Sequence, residues 1–263
     1  MSLSYKINAR RQRLSKILIV LSDYDNDPSE VAIPWKEWTK LGHKITFATP
    51  NGKKSVLDQR MISGEGLGPC KFLLKANKRA INCYESLITE KNYSLPIGYD
   101  QITPSEYDAL YIPGGHAPGV RSFLESEKLK EVILYFFNAN RPVAAICHGP
   151  LLVARTIDPK TNKSVLFGRK TTALLKNQEL TAWALTRSFL GDYYRTYKIP
   201  VEDEILSVLE KKGHFLRGPA AIFRDDPKHL GRGFCFQDGN YLSARWPGDL
   251  HNMVNSFDNM LKA

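Results

Sequence analysis

Pro142-Val143-Ala144-Ala145-Ile146-Cys147-His148-Gly149-Pro150 is the stretch on which the fold turns. The run from Pro142 to Cys147 is short and apolar, which predicts a buried strand. It stops at His148-Gly149-Pro150, and residues 151–156 read as a helix. A strand that passes through a tight turn into a helix is the joint of a parallel α/β sheet. Gly149 supplies the permissive backbone that such a turn needs.

The same rhythm extends to both sides. Residues 16–22 (KILIVLS) predict a strand, and Asp23 to Pro28 a loop. Residues 29–41 predict a helix, with Val31, Ile33, Trp38 and Leu41 at near-helical intervals and Gly42 as its C-cap. Residues 44–49 (KITFAT) predict the next strand. Residues 53–106 break the pattern: they hold Gly64-Glu65-Gly66-Leu67-Gly68, a helix at about 70–89 and a polar loop with Pro96 and Gly98. They read as an insertion beside the core sheet. The rhythm resumes with strand 107–113, the loop Gly114-Gly115-His116 and helix 123–139. After the 142–156 joint come strand 170–175 (KTTALL) and helix 178–190. A second, polar insertion covers 191–233, with a helix near 201–212. Strands near 234–237 and 240–245 and helix 248–261 close the chain. The expectation is one α/β domain over 1–263, a doubly wound, mostly parallel sheet with helices on both faces and two insertions.

Composition narrows the function classes. Of 263 residues, 43% are hydrophobic and 24% charged, enough to build a core and too apolar for a disordered or collagen-like chain. No apolar run approaches the ~20 residues of a membrane span, and no signal-peptide pattern stands at the start. The four cysteines (Cys70, Cys83, Cys147, Cys235) are too sparse for a disulfide framework, which predicts a reducing, cytoplasmic setting. Lys and Arg number 37 against 27 Asp and Glu, a net charge of +10. The basic residues are scattered apart from Lys6, Arg10, Arg11, Arg13 and Lys16, and no zinc-finger or RNP signature accompanies them. Neither a nucleic-acid nor a membrane partner is expected; the charge suits solubility or small anionic substrates. The histidines form no metal motif, and no cofactor is expected.

Cys147 stands where chemistry is expected. Ligands of open α/β sheets bind beyond the carboxyl ends of strands, and a sharp strand-to-helix turn exposes its central side chain. A helix N-terminus there favours thiolate. The bland alternative is an inert strand-end cysteine. Ile112-Pro113-Gly114-Gly115-His116 is a second strand end, whose glycines could expose amides as an oxyanion hole or serve only as a turn. Glu30 opens the first helix. It is a helix-terminal carboxylate by default, and a thiolate partner or general acid/base if it faces Cys147.

Glu30-Val31-Ala32-Ile33-Pro34, Tyr111-Ile112-Pro113-Gly114-Gly115-His116 and Ala145-Ile146-Cys147-His148-Gly149-Pro150, in that order and spacing, resemble the PfpI/DJ superfamily of class I glutamine-amidotransferase-like proteins. The resemblance implies a flavodoxin-like core over roughly 16–180, joined by the last strands and helix. It implies Cys147 as nucleophile, Glu30 as its carboxyl partner, and the amides of Gly115 and His148 as oxyanion donors. The larger branch of the superfamily, heat-shock chaperones and glyoxalase III proteins, supports the His with an acidic residue eleven positions after a Gly. Gly168 then implies Glu179, and a Cys147–His148–Glu179 triad. Ala145 departs from the amidotransferase elbow. None of His43, His116, His148, His214, His229 and His251 has Glu two positions later, so glutamine hydrolysis is not expected. The implied activity is cofactor-independent conversion of a small reactive aldehyde, methylglyoxal to lactate. The alternatives are a peptidase or amidase on peptide-like substrates, and a stress-response chaperone or redox sensor. A homodimer is implied. Arg195-Thr196-Tyr197, Val201-Glu202-Asp203-Glu204 and Ser243-Ala244-Arg245-Trp246-Pro247-Gly248-Asp249 concentrate charged and aromatic residues; they read as surface or capping residues, or else as a lid, a dimer contact or a substrate pocket that uses Arg245 and Asp249.

Overall fold

The structure is a computed structural model that describes residues 14–262. Of the N-terminal basic cluster, Lys6, Arg10, Arg11 and Arg13 lie outside the described residues. A seven-stranded sheet forms the centre. Its strands are β1 (Lys16–Val20), β2 (Lys44–Thr49), β3 (Ile97–Gly98), β4 (Ala109–Ile112), β5 (Val143–Ile146), β8 (Cys235–Asp238) and β9 (Tyr241–Ala244). They lie in the order β3-β2-β1-β4-β5-β9-β8, all parallel except the β8–β9 hairpin. A separate small hairpin pairs β6 (Ile157–Asp158) with β7 (Lys163–Ser164). β4 and β5 are buried throughout, and β1 is buried beyond Lys16. Continuous burial is why these strands read as unbroken apolar runs rather than alternating ones. The helices surround the sheet in a flavodoxin-like, doubly wound arrangement. Among the described residues, no helix is long and apolar enough to cross a membrane.

Helix α1 (Pro28–Lys40) starts where the sequence prescribes. The Asp27 carboxylate accepts from Ser29 N–H at 2.7 Å and Glu30 N–H at 3.2 Å, and Pro28 occupies the first turn, where its missing N–H costs nothing. Pro34 sits inside the helix and cannot donate to the Glu30 carbonyl one turn back. The Tyr111 hydroxyl donates to that carbonyl instead, at 2.7 Å, and so ties α1 to β4 at the site described below. Trp38 packs edge-on to Tyr111 with ring centroids 5.0 Å apart, and its Nε1 donates to Val254 O of the C-terminal helix.

Four expectations change. Residues 170–175 do not form a strand: Thr171 makes a single bridge to Phe215, Thr172 N–H goes to Ser243 Oγ, and Leu174 N–H to Cys147 O. The flank of β5 that such a strand would pair with is taken by β9, in register from Val143–Tyr241 to Ile146–Ala244. The helix expected at 70–89 is broken into a 3-10 turn (Gly68–Cys70), a single turn (Lys71–Leu74) and α2 (Lys78–Leu87), which Asn77 caps through Ala80 N–H. The 53–106 stretch does more than sit beside the sheet, because Ile97–Gly98 supplies its edge strand. The helix near 201–212 ends at Val208.

Candidate active site

Cys147 follows β5, and the chain turns there so sharply that its φ is +60°. That left-handed conformation costs a side-chain-bearing residue about 1–2 kcal/mol, so the surroundings must impose it. Cys147 N–H donates to Ala244 O at 3.2 Å, and its carbonyl accepts from Leu174 N–H at 3.1 Å. At Gly149, a Cβ would lie 2.3 Å from the Ile112 carbonyl oxygen. At Gly114, a Cβ would lie 2.7 Å from both Cys147 Cβ and the His148 amide nitrogen. The missing side chains let the ends of β4 and β5 close on one another, and the two motifs singled out in the sequence become one site.

Glu30 is fully buried against it. Its Oε2 accepts from Gly114 N–H at 2.7 Å, its Oε1 has no partner of ordinary hydrogen-bond geometry, and the Cys147 thiol is set against the carboxyl. Burial, and then the neighbouring Asp27, push the Glu30 pKa well above its ordinary value, which favours the protonated carboxyl. Burial also raises the Cys147 thiol, with Glu30 and Asp27 acting in the same direction. These act against the thiolate expected at a helix N-terminus, and helix α3 (Gly149–Ala154) that follows has only six residues. A thiol in this position would need a base before it could act as a nucleophile.

His148 is the ring placed to take such a proton. Its Nδ1 lies 3.4 Å from Cys147 Sγ and its Nε2 3.1 Å from Thr196 Oγ1. The Thr196 hydroxyl donates its one proton to the His116 carbonyl at 2.5 Å, so it can only accept from His148. This fixes Nε2 as the protonated nitrogen and leaves the Nδ1 lone pair to the thiol. Burial lowers the His148 pKa to about 3, which keeps the ring neutral. The Thr196 backbone is itself held, its carbonyl accepting from Arg121 Nε at 2.6 Å.

Glu179 does not occupy the place implied for it. Both His148 ring nitrogens are engaged by Cys147 and Thr196. Glu179 Oε2 instead accepts from Val201 N–H at 3.0 Å, at the start of the helix Val201–Val208, and Oε1 lies 3.6 Å from Arg195 Nε. Its carboxyl nonetheless borders the same cavity, and burial raises its pKa to about 7. The His148 amide sits beside Cys147, whereas Gly115 packs against Asp25, Asn26 and Val120; no oxygen of the described residues accepts from either amide. The His148 amide reaches the sulfur.

Cys147 and Glu30 open onto a cavity of about 330 Å³, walled by Asp27, His116, Leu174, Glu179, Tyr194, Ile222, Arg224 and Trp246 among others. His116 stacks on Tyr194 with ring centroids 4.2 Å apart, and burial lowers its pKa to about 4. Thr196, Tyr194, Arg224 and Trp246 carry no motif. The only sequence signal was the density of charged and aromatic residues around 195–197 and 243–249. Arg245 and Asp249 are not part of the cavity wall. They form a wholly buried ion pair, Nε to Oδ2 and Nη2 to Oδ1 at 2.8 Å each, while Arg245 Nη1 donates to the carbonyls of Arg217 and Pro219. Among the described residues no group of His, Cys, Asp and Glu is placed to hold a metal.

Known proteins resemble this chain in sequence and in fold. The protein named deglycase PfpI of Pyrococcus furiosus is 29% identical over 181 residues, covering 68% of this chain and 78% of that protein. Deglycase PH1704 of Pyrococcus horikoshii is 37% identical over 178 residues, covering 66% and 76%. The crystal structure of glyoxalase III from Candida albicans superposes with a TM-score of 0.65 over 92% of this chain and 95% of that one, a likeness of fold at 16% identity. A family model described as ThiJ/PfpI family-like matches residues 21–219. Since that match runs from the end of β1 past Thr196 and takes in most of the sheet, the chain belongs to the ThiJ/PfpI family.

Proposed function

We propose that this protein is a cofactor-independent cysteine enzyme for small reactive carbonyl compounds, converting a 2-oxoaldehyde such as methylglyoxal to the 2-hydroxy acid. One observation carries the reading: Cys147 Sγ lies 3.4 Å from the His148 imidazole and against the buried Glu30 carboxyl, on the wall of a small, largely apolar cavity. A cavity at the lower end of the usual 300–1,000 Å³ ligand range suits a small molecule better than a peptide. The names of the relatives, deglycases and a glyoxalase III, support carbonyl chemistry.

The steps follow from the positions. The sulfur adds to the aldehyde carbon as its proton passes to His148 Nδ1. Imidazole basicity rises as negative charge forms beside it, and the amides of Gly115 and His148 meet the oxyanion. Protonation of that oxygen gives a hemithioacetal. A base then removes the proton on the former aldehyde carbon, and a proton is delivered to the adjacent carbonyl carbon, leaving a thioester; His148 and Glu30 are the groups at hand. Water cleaves the thioester, releasing the hydroxy acid and restoring the thiol. One water is added, and no oxidant or reductant is consumed.

Lactate formation from methylglyoxal, compared between wild type and Cys147→Ala, tests the reading. Turnover that falls by about a thousandfold or more in the variant is expected when the nucleophile is lost. No wild-type turnover across methylglyoxal, glyoxal and phenylglyoxal would end it. The relatives' names favour a second reading, in which the same thiol attacks the carbonyl carbon of an aldehyde adduct on an amine or thiol. Turnover of methylglyoxal adducts under conditions where free methylglyoxal is inert would select it.

A further inference from the structure

Arg224 lines the cavity that holds Cys147, yet its guanidinium makes no hydrogen bond and no ion pair among the described residues. Its Nη1 is buried and unpartnered, and its nearest organised contact is the face of Trp246, 5.6 Å from the ring centroid. Trp246 borders the same cavity, and its Nε1 is a second buried donor with no acceptor. Buried polar groups are nearly always satisfied, and Nη1 is an exception on a side chain that is otherwise half-buried. The residue is held firmly in place. The next residue, Asp225, donates its N–H to Gly248 O at 2.7 Å and accepts from Asn252 N–H at 2.7 Å, which anchors the loop to the C-terminal helix. The acidic groups that face Arg224 are Asp27 and Glu30. Both attract the guanidinium electrostatically, but neither carboxyl comes within ion-pair distance of it.

We propose that Arg224, with Trp246 beside it, is an anion-binding subsite, and that the preferred substrate is a 2-oxoaldehyde carrying a carboxylate at its far end. The proposal rests on the reading of Cys147 as a carbonyl nucleophile and adds the substrate's charge to it. A guanidinium binds a carboxylate in fork geometry, with an indole N–H as a further donor, and would orient the aldehyde end toward the sulfur.

The experiment compares kcat/KM for 4,5-dioxopentanoate with that for its uncharged counterpart 2-oxopentanal, in wild type, Arg224→Lys and Arg224→Met. Wild type is expected to favour the acid. Arg224→Met should lower the acid-to-neutral ratio by about tenfold or more, and Arg224→Lys should fall between. Turnover of both compounds with a ratio that Arg224→Met does not change overturns the subsite and leaves the carbonyl reading intact. Titration calorimetry with the unreactive keto acid 4-oxopentanoate separates the two ideas. If neither aldehyde turns over but 4-oxopentanoate binds wild type and binds Arg224→Met at least about tenfold more weakly, the subsite stands and the reaction is wrong. No turnover and no Arg224-dependent binding overturns both.

Discussion

His148 Nε2 donates to Thr196 Oγ1 across 3.1 Å, so a hydroxyl stands where a triad would place a carboxylate. A hydroxyl orients the ring and selects its tautomer, but it brings no charge to stabilise an imidazolium. Thr196→Val removes the acceptor at nearly constant volume and is expected to lower kcat/KM on the order of tenfold, the scale seen when an orienting partner of a working histidine is lost. Thr196→Ser restores the oxygen and should recover activity to within about threefold of wild type. Glu179→Gln, which leaves His148 and both its partners untouched, should also stay within about threefold. If Glu179→Gln instead costs more than Thr196→Val, the carboxylate is the partner of His148 during turnover.

The contrast between these two residues shows what the sequence could carry. The elbow is legible because its causes are local: an apolar run, Cys147 and Gly149 lie within one stretch, and the need for glycine follows from a carbonyl one strand away. Glu30 and Gly114 were findable because the motifs that contain them are contiguous. Thr196 reaches His148 from a polar loop 48 residues further on, and nothing in Arg195-Thr196-Tyr197 says which atom it will meet. Residues 170–175 have the composition of a strand, but strandedness needs a partner, and β9, far along the chain, had taken the place beside β5. The upward push on the Cys147 thiol was hidden for a similar reason: a helix N-terminus is a local property, whereas the burial that opposes thiolate is tertiary.

Gly149 gives the elbow its sharpest structural test. A Cβ at that position meets the Ile112 backbone oxygen at 2.3 Å, and a backbone atom in a central strand cannot step aside as a side chain would. Gly149→Ala is therefore expected to cost about 3 kcal/mol or more of stability, read as a shift of the urea midpoint at unchanged slope. A loss below about 1 kcal/mol would mean that the end of β4 can give way.

Arg245 and Asp249 predict a separation of stability from substrate handling. Both are wholly buried, and Asp249 Oδ1 also accepts from Phe234 N–H at 2.8 Å. Asp249→Ala leaves a guanidinium without its counter-ion and is expected to destabilise by about 3–5 kcal/mol. The pair lies off the cavity wall, so the variant that remains folded at low temperature should keep the wild-type KM. A KM that rises severalfold while the protein stays folded would return these residues to the substrate pocket.

Glu179 predicts a pH dependence with a definite sign. Burial raises its pKa to about 7 in the folded protein, against 4.5 for an ordinary glutamate. Between those values the folded state holds a proton that the unfolded state has released, so stability falls as pH rises. The contribution is fully present below the unfolded pKa and is gone once pH passes the folded one. From about pH 5 to about pH 8 this one group should remove about 2 kcal/mol from the wild type. Glu179→Gln mimics the protonated acid at every pH and keeps an oxygen for Val201 N–H, so it escapes the loss. Thermal melts of the two proteins should run close together near pH 5 and separate as pH rises, with the variant the more stable above about pH 7. A gap that stays constant across the range would mean that the carboxyl is ionised throughout, with Arg195, 3.6 Å away, overcoming the cost of its burial.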